Sequence, residues 1–139
     1  MSLYVFDTDH LSLYQAGHTR VLLNVMKHMQ DQLALSIITV EELLNGWQTA
    51  LRKARDDVRR AEAYRRMALA VEDLSGWAIF PFALPAMARH ASLLRQRLNV
   101  GSNDLKIAAI AMESGGTIVT RNARDFSRIP GLIWEDWSV

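Results

Sequence analysis

The chain has 139 residues, half of them hydrophobic and 22% charged, with a formal net charge of +1. That is the profile of a globular protein with room for one domain and a proper core. No cysteine occurs, which excludes disulfides, thiolate zinc sites and a cysteine nucleophile and fits a reducing compartment.

The first residues, Met-Ser-Leu-Tyr-Val-Phe, lack the charged start and long apolar run of a secretory signal. The longest apolar stretches, such as Ala78–Met87, are short and interrupted by proline, so no membrane span is expected. The expectation is a soluble, cytoplasmic protein.

In chain order, Leu3–Phe6 reads as a buried strand ended by Asp7. His10–Ala16 reads as a short helix stopped by Gly17, and Thr19 opens a second helix to about Gln30. Gln32–Ile38 is the second strand. A helix then opens at Thr39, and helical pattern continues, with a break, to about Leu74. Trp77–Pro81 is strand-like, Leu84-Pro85 starts a helix through Leu98, and residues 99–103 form a loop. Asp104–Ser114 is helical and stops at Gly115-Gly116; Thr117–Thr120 is a strand, Ala123–Arg128 a helical turn and Leu132–Trp134 a last short strand. Strands alternating with helices predict an α/β fold, a mostly parallel central sheet flanked by helices, as one domain over residues 1–139.

Parallel sheets bind ligands beyond the carboxyl ends of their strands, and the acids gather there. Asp7 and Asp9 follow the first strand, Glu42 lies one turn into the helix after the second, and Asn122 and Asp125 follow Thr117–Thr120. Asp104 opens a helix after a glycine-containing loop. Each has a structural explanation alone. Thr39 and Glu42 match a capping box, Ser102 or Asn103 could cap a helix whose first turn favours Asp104, Asn122 could cap with an acidic third residue, and Asp7 could cap the first helix. Together, carboxylates converging on one sheet edge repel unless a cation sits among them. Hard oxygen donors without clustered histidine or cysteine favour Mg²⁺ or Mn²⁺ over zinc, a device of phosphoryl and phosphodiester chemistry.

The chain resembles a PIN domain, more narrowly a VapC-type toxin. The resemblance rests on Val5-Phe6-Asp7-Thr8-Asp9, Ile38–Gly46 (Ile-Thr-x-x-Glu-Leu-x-x-Gly), Asn103–Ala109 (Asn-Asp-x-x-Ile-Ala-Ala), Val119–Phe126 (Val-Thr-Arg-Asn-x-x-Asp-Phe) and the Ile129–Trp137 tail. The pieces come in the family's order from end to end. The resemblance implies a metal-dependent endoribonuclease, the toxin of a toxin–antitoxin pair. It implies Asp7 and Asp104 as direct ligands of Mg²⁺ (or Mn²⁺) and Glu42 to orient or deprotonate water or hold a second ion. Asp125 fills the fourth acidic position, with Asn122 and Thr120 as polar members. Two departures stand out: some relatives place an acid where this chain has Asn122, and Asp9 stands where relatives often carry Asn. In-line attack would leave a 5′-phosphate and a 3′-hydroxyl. The partners implied are an RNA substrate, a cognate antitoxin whose C-terminal segment lies across the site, and a second copy in a homodimer.

Between Arg52 and Arg66, seven arginines and lysines stand against three acids. This reads either as a helix face laced with i,i+4 pairs or as a stripe facing RNA or antitoxin. The four histidines are scattered, His18 and His28 on different helix faces, which disfavours a metal-free His-pair ribonuclease. The tryptophans read as core or interface residues, with Trp47, just past Glu42, the one suspected of meeting a partner. A rival enzyme reading is a haloacid-dehalogenase-type phosphatase, with Asp7 as nucleophile and Asp9 as general acid. It lacks the usual Thr or Val at Leu11 and a later acid pair, and Lys106 is the only late lysine. A non-catalytic RNA- or partner-binding module is the third.

Overall fold

A computed structural model describes residues 1–139. Five strands, β1 (Leu3–Phe6), β2 (Gln32–Ser36), β3 (Ala78–Phe80), β4 (Thr117–Val119) and β5 (Trp134–Glu135), form one sheet in the order β3-β2-β1-β4-β5. Every pairing is parallel. Seven helices connect them: α1 (Thr8–Gln15), α2 (Thr19–Lys27), α3 (Ile37–Lys53), α4 (Asp57–Leu74), α5 (Leu84–Arg95), α6 (Ser102–Glu113) and α7 (Ala123–Phe126). No helix is long and apolar enough to cross a membrane.

Alternation along the strands divides the core between the two faces. Val5 and Ile118 join α5 and α6 residues such as Leu93, Leu105 and Ile110. Phe6, Val119 and Leu35 face the other way, onto Leu11, Val21, Leu74 and Trp137. The run Leu105–Ala111 in α6 is buried except at Lys106, because that helix lies against both the sheet and α5. Its end is set by glycine. Gly115, at φ +70, lets its N–H reach Met112 O at 3.3 Å while Gly116 N reaches Ala111 O at 2.8 Å, a paired closure that stops the helix and turns the chain into β4.

Helix boundaries differ from the sequence reading at two informative places. The second strand ends at Ser36, where pairing with β3 ends, and α3 opens earlier than expected. Ser36 is its N-cap, its Oγ accepting from Thr39 N at 3.2 Å. Thr39 is therefore not a cap, and the Thr39–Glu42 capping box does not form. At α6 the cap position is Gly101, with no side-chain cap bond, so neither Ser102 nor Asn103 serves.

Strand order reverses beside β1: from it the chain steps outward through β2 to β3, then returns to lay β4 on its other side. Such a switch point opens a crevice beyond the carboxyl ends of the two central strands. Asp7 comes directly after β1 there, and its N–H continues the ladder to Val119 O at 3.1 Å.

Candidate active site

Asp7 caps α1 and sits in the crevice at once. Its Oδ1 accepts from His10 N at 2.7 Å and its Oδ2 from Thr120 Oγ1 at 2.6 Å. The residue is only 6% exposed. Burial pushes its carboxyl up to about 6, reinforced by Asp9 and Asp104, while the bonds from Thr120 and His10 pull the other way. Asp7 thus caps α1 from within the crevice, so its capping role leaves a role in the site open.

Asp104, in the first turn of α6, is half-buried with no capping duty. Its carboxyl is also raised, by burial and then by Glu42 and Asp125. Asp104 is the group through which the acids of four separate chain segments sense one another. Glu42, left free because Ser36 does the capping, is held from outside its helix. Thr8 Oγ1 donates to Glu42 Oε1 at 3.0 Å, with Thr39 Oγ1 3.1 Å from the same hydroxyl.

Beyond β4, Thr120 is fully buried and its Oγ1 accepts from Asn122 N at 2.9 Å. Asn122 occupies the N-cap of α7 without making a side-chain cap bond. Its amide donates instead to Asp125 Oδ2 at 3.0 Å, and Arg128 Nη1 lies 3.6 Å from Asp125 Oδ1. No three acidic or histidine side chains stand close enough to form a ready-made coordination cluster. The donor set nonetheless suits a hard divalent cation. It is all oxygen, it repels itself, and two of its carboxyls are raised by burial and by neighbouring acids, a cost that a bound cation offsets.

Several neighbours were not legible as site residues. Thr8 sits inside the Asp-Thr-Asp motif, but its partners lie 31 and 34 residues away. His10 is fully buried; its Nε2 accepts from Trp137 N at 3.3 Å. Its Nδ1, 4.0 Å from Asp7 Oδ1, is the one buried side-chain polar atom without a hydrogen-bond partner. Asp9 points outward into an ion pair with Arg121, Nε to Oδ2 at 2.6 Å, so it is not poised as the general acid a phosphatase needs. His28 stacks on Trp137 with ring centroids 4.3 Å apart; Phe6, Tyr14 and Trp77 complete this aromatic layer. Trp47 lines a groove of about 460 Å³ between α3 and α4 with Val58, Arg59 and Arg66, and none of the site acids borders it.

This parallel sheet, with carboxylates collected at its switch point, defines an acid-centred α/β protein, and the PIN domain profile matches residues 4–132. The chain belongs to the PIN domain family. It is similar to ribonuclease VapC2 of Rickettsia felis, 31% identical across 97% of this chain and 98% of that one. A tRNA(fMet)-specific endonuclease VapC of Salmonella typhimurium is 31% identical over 77% of this chain and 76% of that one. Among solved structures, a VapBC2 complex from Rickettsia felis bound to a promoter DNA fragment superposes with a TM-score of 0.75 at 26% identity, covering 97% and 98% of the two chains. Family membership removes the phosphatase alternative.

Proposed function

We propose that this chain is a divalent-metal-dependent endoribonuclease, with Mg²⁺ as the working ion (Mn²⁺ substituting), and the toxin of a toxin–antitoxin pair. The observation that carries the reading is the crevice itself: Asp7, Asp104, Glu42 and Asp125 are brought by four chain segments to one sheet edge, with Asp7 buried and its carboxyl raised. Full-length similarity to VapC ribonucleases supports the activity, and similarity to the toxin half of a VapBC complex supports an antitoxin partner. A homodimer is the assembly proposed with it. The activity is assigned to one domain, read over residues 1–139.

In this reading Asp7 and Asp104 hold the ion, with Asp125 beside them. The bound cation supplies Lewis acidity at the scissile phosphate and lowers the cost of ionising the attacking water. The chain's residues do the positioning. Thr120 Oγ1 and His10 N fix the two oxygens of Asp7. Thr8 occupies Oε1 of Glu42, which leaves Oε2 to accept a proton from the attacking water as general base. Asn122 steadies Asp125 through its amide.

The test is cleavage of a total-RNA preparation by the purified protein and by Asp7→Asn, with Mg²⁺ and with excess EDTA. Discrete fragments that require both the metal and Asp7 are expected. Cleavage that survives either removal overturns the reading. Tight RNA binding without any cleavage would favour the non-catalytic module.

A further inference from the structure

RNA is a polyanion, and the crevice meets it with acids, so phosphates flanking the scissile one need a cation nearby. Several basic side chains are engaged elsewhere. Arg59, Arg60, Arg65 and Arg66 pair with acids of their own helix region. Arg89 pairs with Glu113, and Arg128 donates to Asn99 O while facing Asp125. Lys106 lies over the Phe82 ring, 5.9 Å from its centroid.

Arg121 differs. It directly succeeds Thr120, whose hydroxyl donates to Asp7 and accepts from Asn122 N. Its backbone is therefore tied to Asp7 on both sides, while its side chain stays 52% exposed. Nε and Nη2 donate to Asp9 at 2.6 and 3.3 Å, and Nη1 makes no bond. An ion pair this exposed adds little to the fold. A guanidinium is also built to hold phosphate oxygens through paired donors. Asp9 presents to it a carboxylate in the place where a phosphate would sit.

We propose that Arg121 is a substrate-binding residue that grips an RNA phosphate beside the scissile one, and that Asp9 is its internal counter-ion, displaced when RNA arrives. This rests on the proposed nuclease activity. The pair makes RNA entry an exchange of partners: Asp9 releases the guanidinium and the phosphate takes its place. The same contact screens Arg121 from other anions.

A merely structural ion pair and this exchange predict opposite signs. If the pair only braces the crevice, Arg121→Gln and Asp9→Asn both harm binding. If Asp9 competes with RNA, the first weakens binding and the second strengthens it. The experiment measures anisotropy of a labelled single-stranded RNA in EDTA, so cleavage is off, with the wild type, both single variants and the double variant. Arg121→Gln should lose roughly tenfold in affinity, with a log–log salt slope shallower by about 0.7. Asp9→Asn should gain roughly threefold, and that gain should vanish in the Arg121→Gln background. A gain that persists there is a bulk charge effect and overturns the proposal, as does an Arg121→Gln variant that binds like the wild type. Wild-type cleavage in Mg²⁺, run alongside, separates the two failures: cleavage with an indifferent Arg121 sinks only this inference. A wild type that neither cleaves nor binds RNA sinks the nuclease reading and this with it.

Discussion

Two regions of the molecule are rich in charge and handle it in opposite ways. On α4 and the turn before it, acids and bases cancel locally. Asp56 pairs with Arg59, Asp57 with Arg60, and Glu62 with both Arg65 and Arg66. The bonds donated by Arg65 and Arg66 draw the Glu62 carboxyl down to about 2. At the switch point the reverse holds: burial drives Asp7 up to about 6, and Asp104 rises with it. Charge that is neutralised within one turn of helix needs nothing from outside. Charge that the fold buries and leaves unbalanced is stabilised only by a ligand, and this imbalance, rather than the number of charges, separates the two regions.

The largest expected effect comes from removing the imbalance. Asp7 ionises near pH 6 in the folded chain against an ordinary value of 3.8. Between those values the folded state holds more protons than the unfolded one, so stability falls as pH rises through that window, and the cost is complete above it. Asp7→Asn should therefore stabilise the metal-free protein at neutral pH by about 1–3 kcal/mol, the lower end reflecting the weakened bond to Thr120. Thermal unfolding in EDTA at about pH 4 and about pH 7.5 should show the gap between the two proteins opening at the higher pH. His10, held neutral by burial and so below its ordinary 6.5, acts with the opposite sign: its contribution is present above that value and fades as pH falls below it. Its Nδ1 lies 4.0 Å from Asp7 Oδ1, so the two titrations are coupled, and at about pH 7.5, above both windows, the gap reports Asp7 alone. A gap of the same size at both pH values would mean that Asp7 carries no buried charge.

How much of this was legible varied with the range of the interaction. β1 and the acid at its end can be read from four residues, and the end of α6 from two glycines. The start of α3 could not, because the β-branched pair Ile37-Ile38 reads as the end of the strand. Only the pairing partner, which ends at Ser36, shows where the sheet stops. That one boundary changes Glu42 from a capping residue into a free carboxylate. The bonds that tune the site are longer still in sequence: Thr8 to Glu42 spans 34 residues, and Arg121 to Asp9 spans 112. No spacing rule reaches them. The basic stripe failed in the other direction, since counting seven cations against three acids hid that most of the cations are already paired.

A smaller effect is expected from loosening a support of the site while keeping its acids. Thr8→Val removes the donor to Glu42 Oε1 without changing size or charge at a half-buried position. Cleavage should slow roughly tenfold in the chemical step with little change in substrate affinity, because the general base proposed at Glu42 is present but less well aimed. Single-turnover cleavage separates the two terms, and Thr8→Ser, which retains the hydroxyl, should restore most of the rate. An unchanged rate in Thr8→Val would show that Glu42 needs no such support.

The smallest effect should come from the α4 region. Arg59→Gln with Arg60→Gln removes two positive charges, yet each already faces an aspartate within 3.0 Å. Asp56 still caps α4, because its Oδ1 accepts from the backbone N–H of Arg59 rather than from its side chain. Exposed pairs of this kind are worth about 0–1 kcal/mol, so unfolding should barely shift. RNA affinity should fall by about threefold at most, since the groove that Arg59 lines is bordered by none of the site acids and neither arginine is tied to Asp7 as Arg121 is. Titration of labelled RNA at two salt concentrations measures both the affinity and the slope. A loss of tenfold or more, with a shallower slope like that expected for Arg121→Gln, would mean that these arginines leave their aspartates for phosphate. The α4 region would then belong to the RNA surface, and the contrast between the two regions would be one of availability rather than of kind.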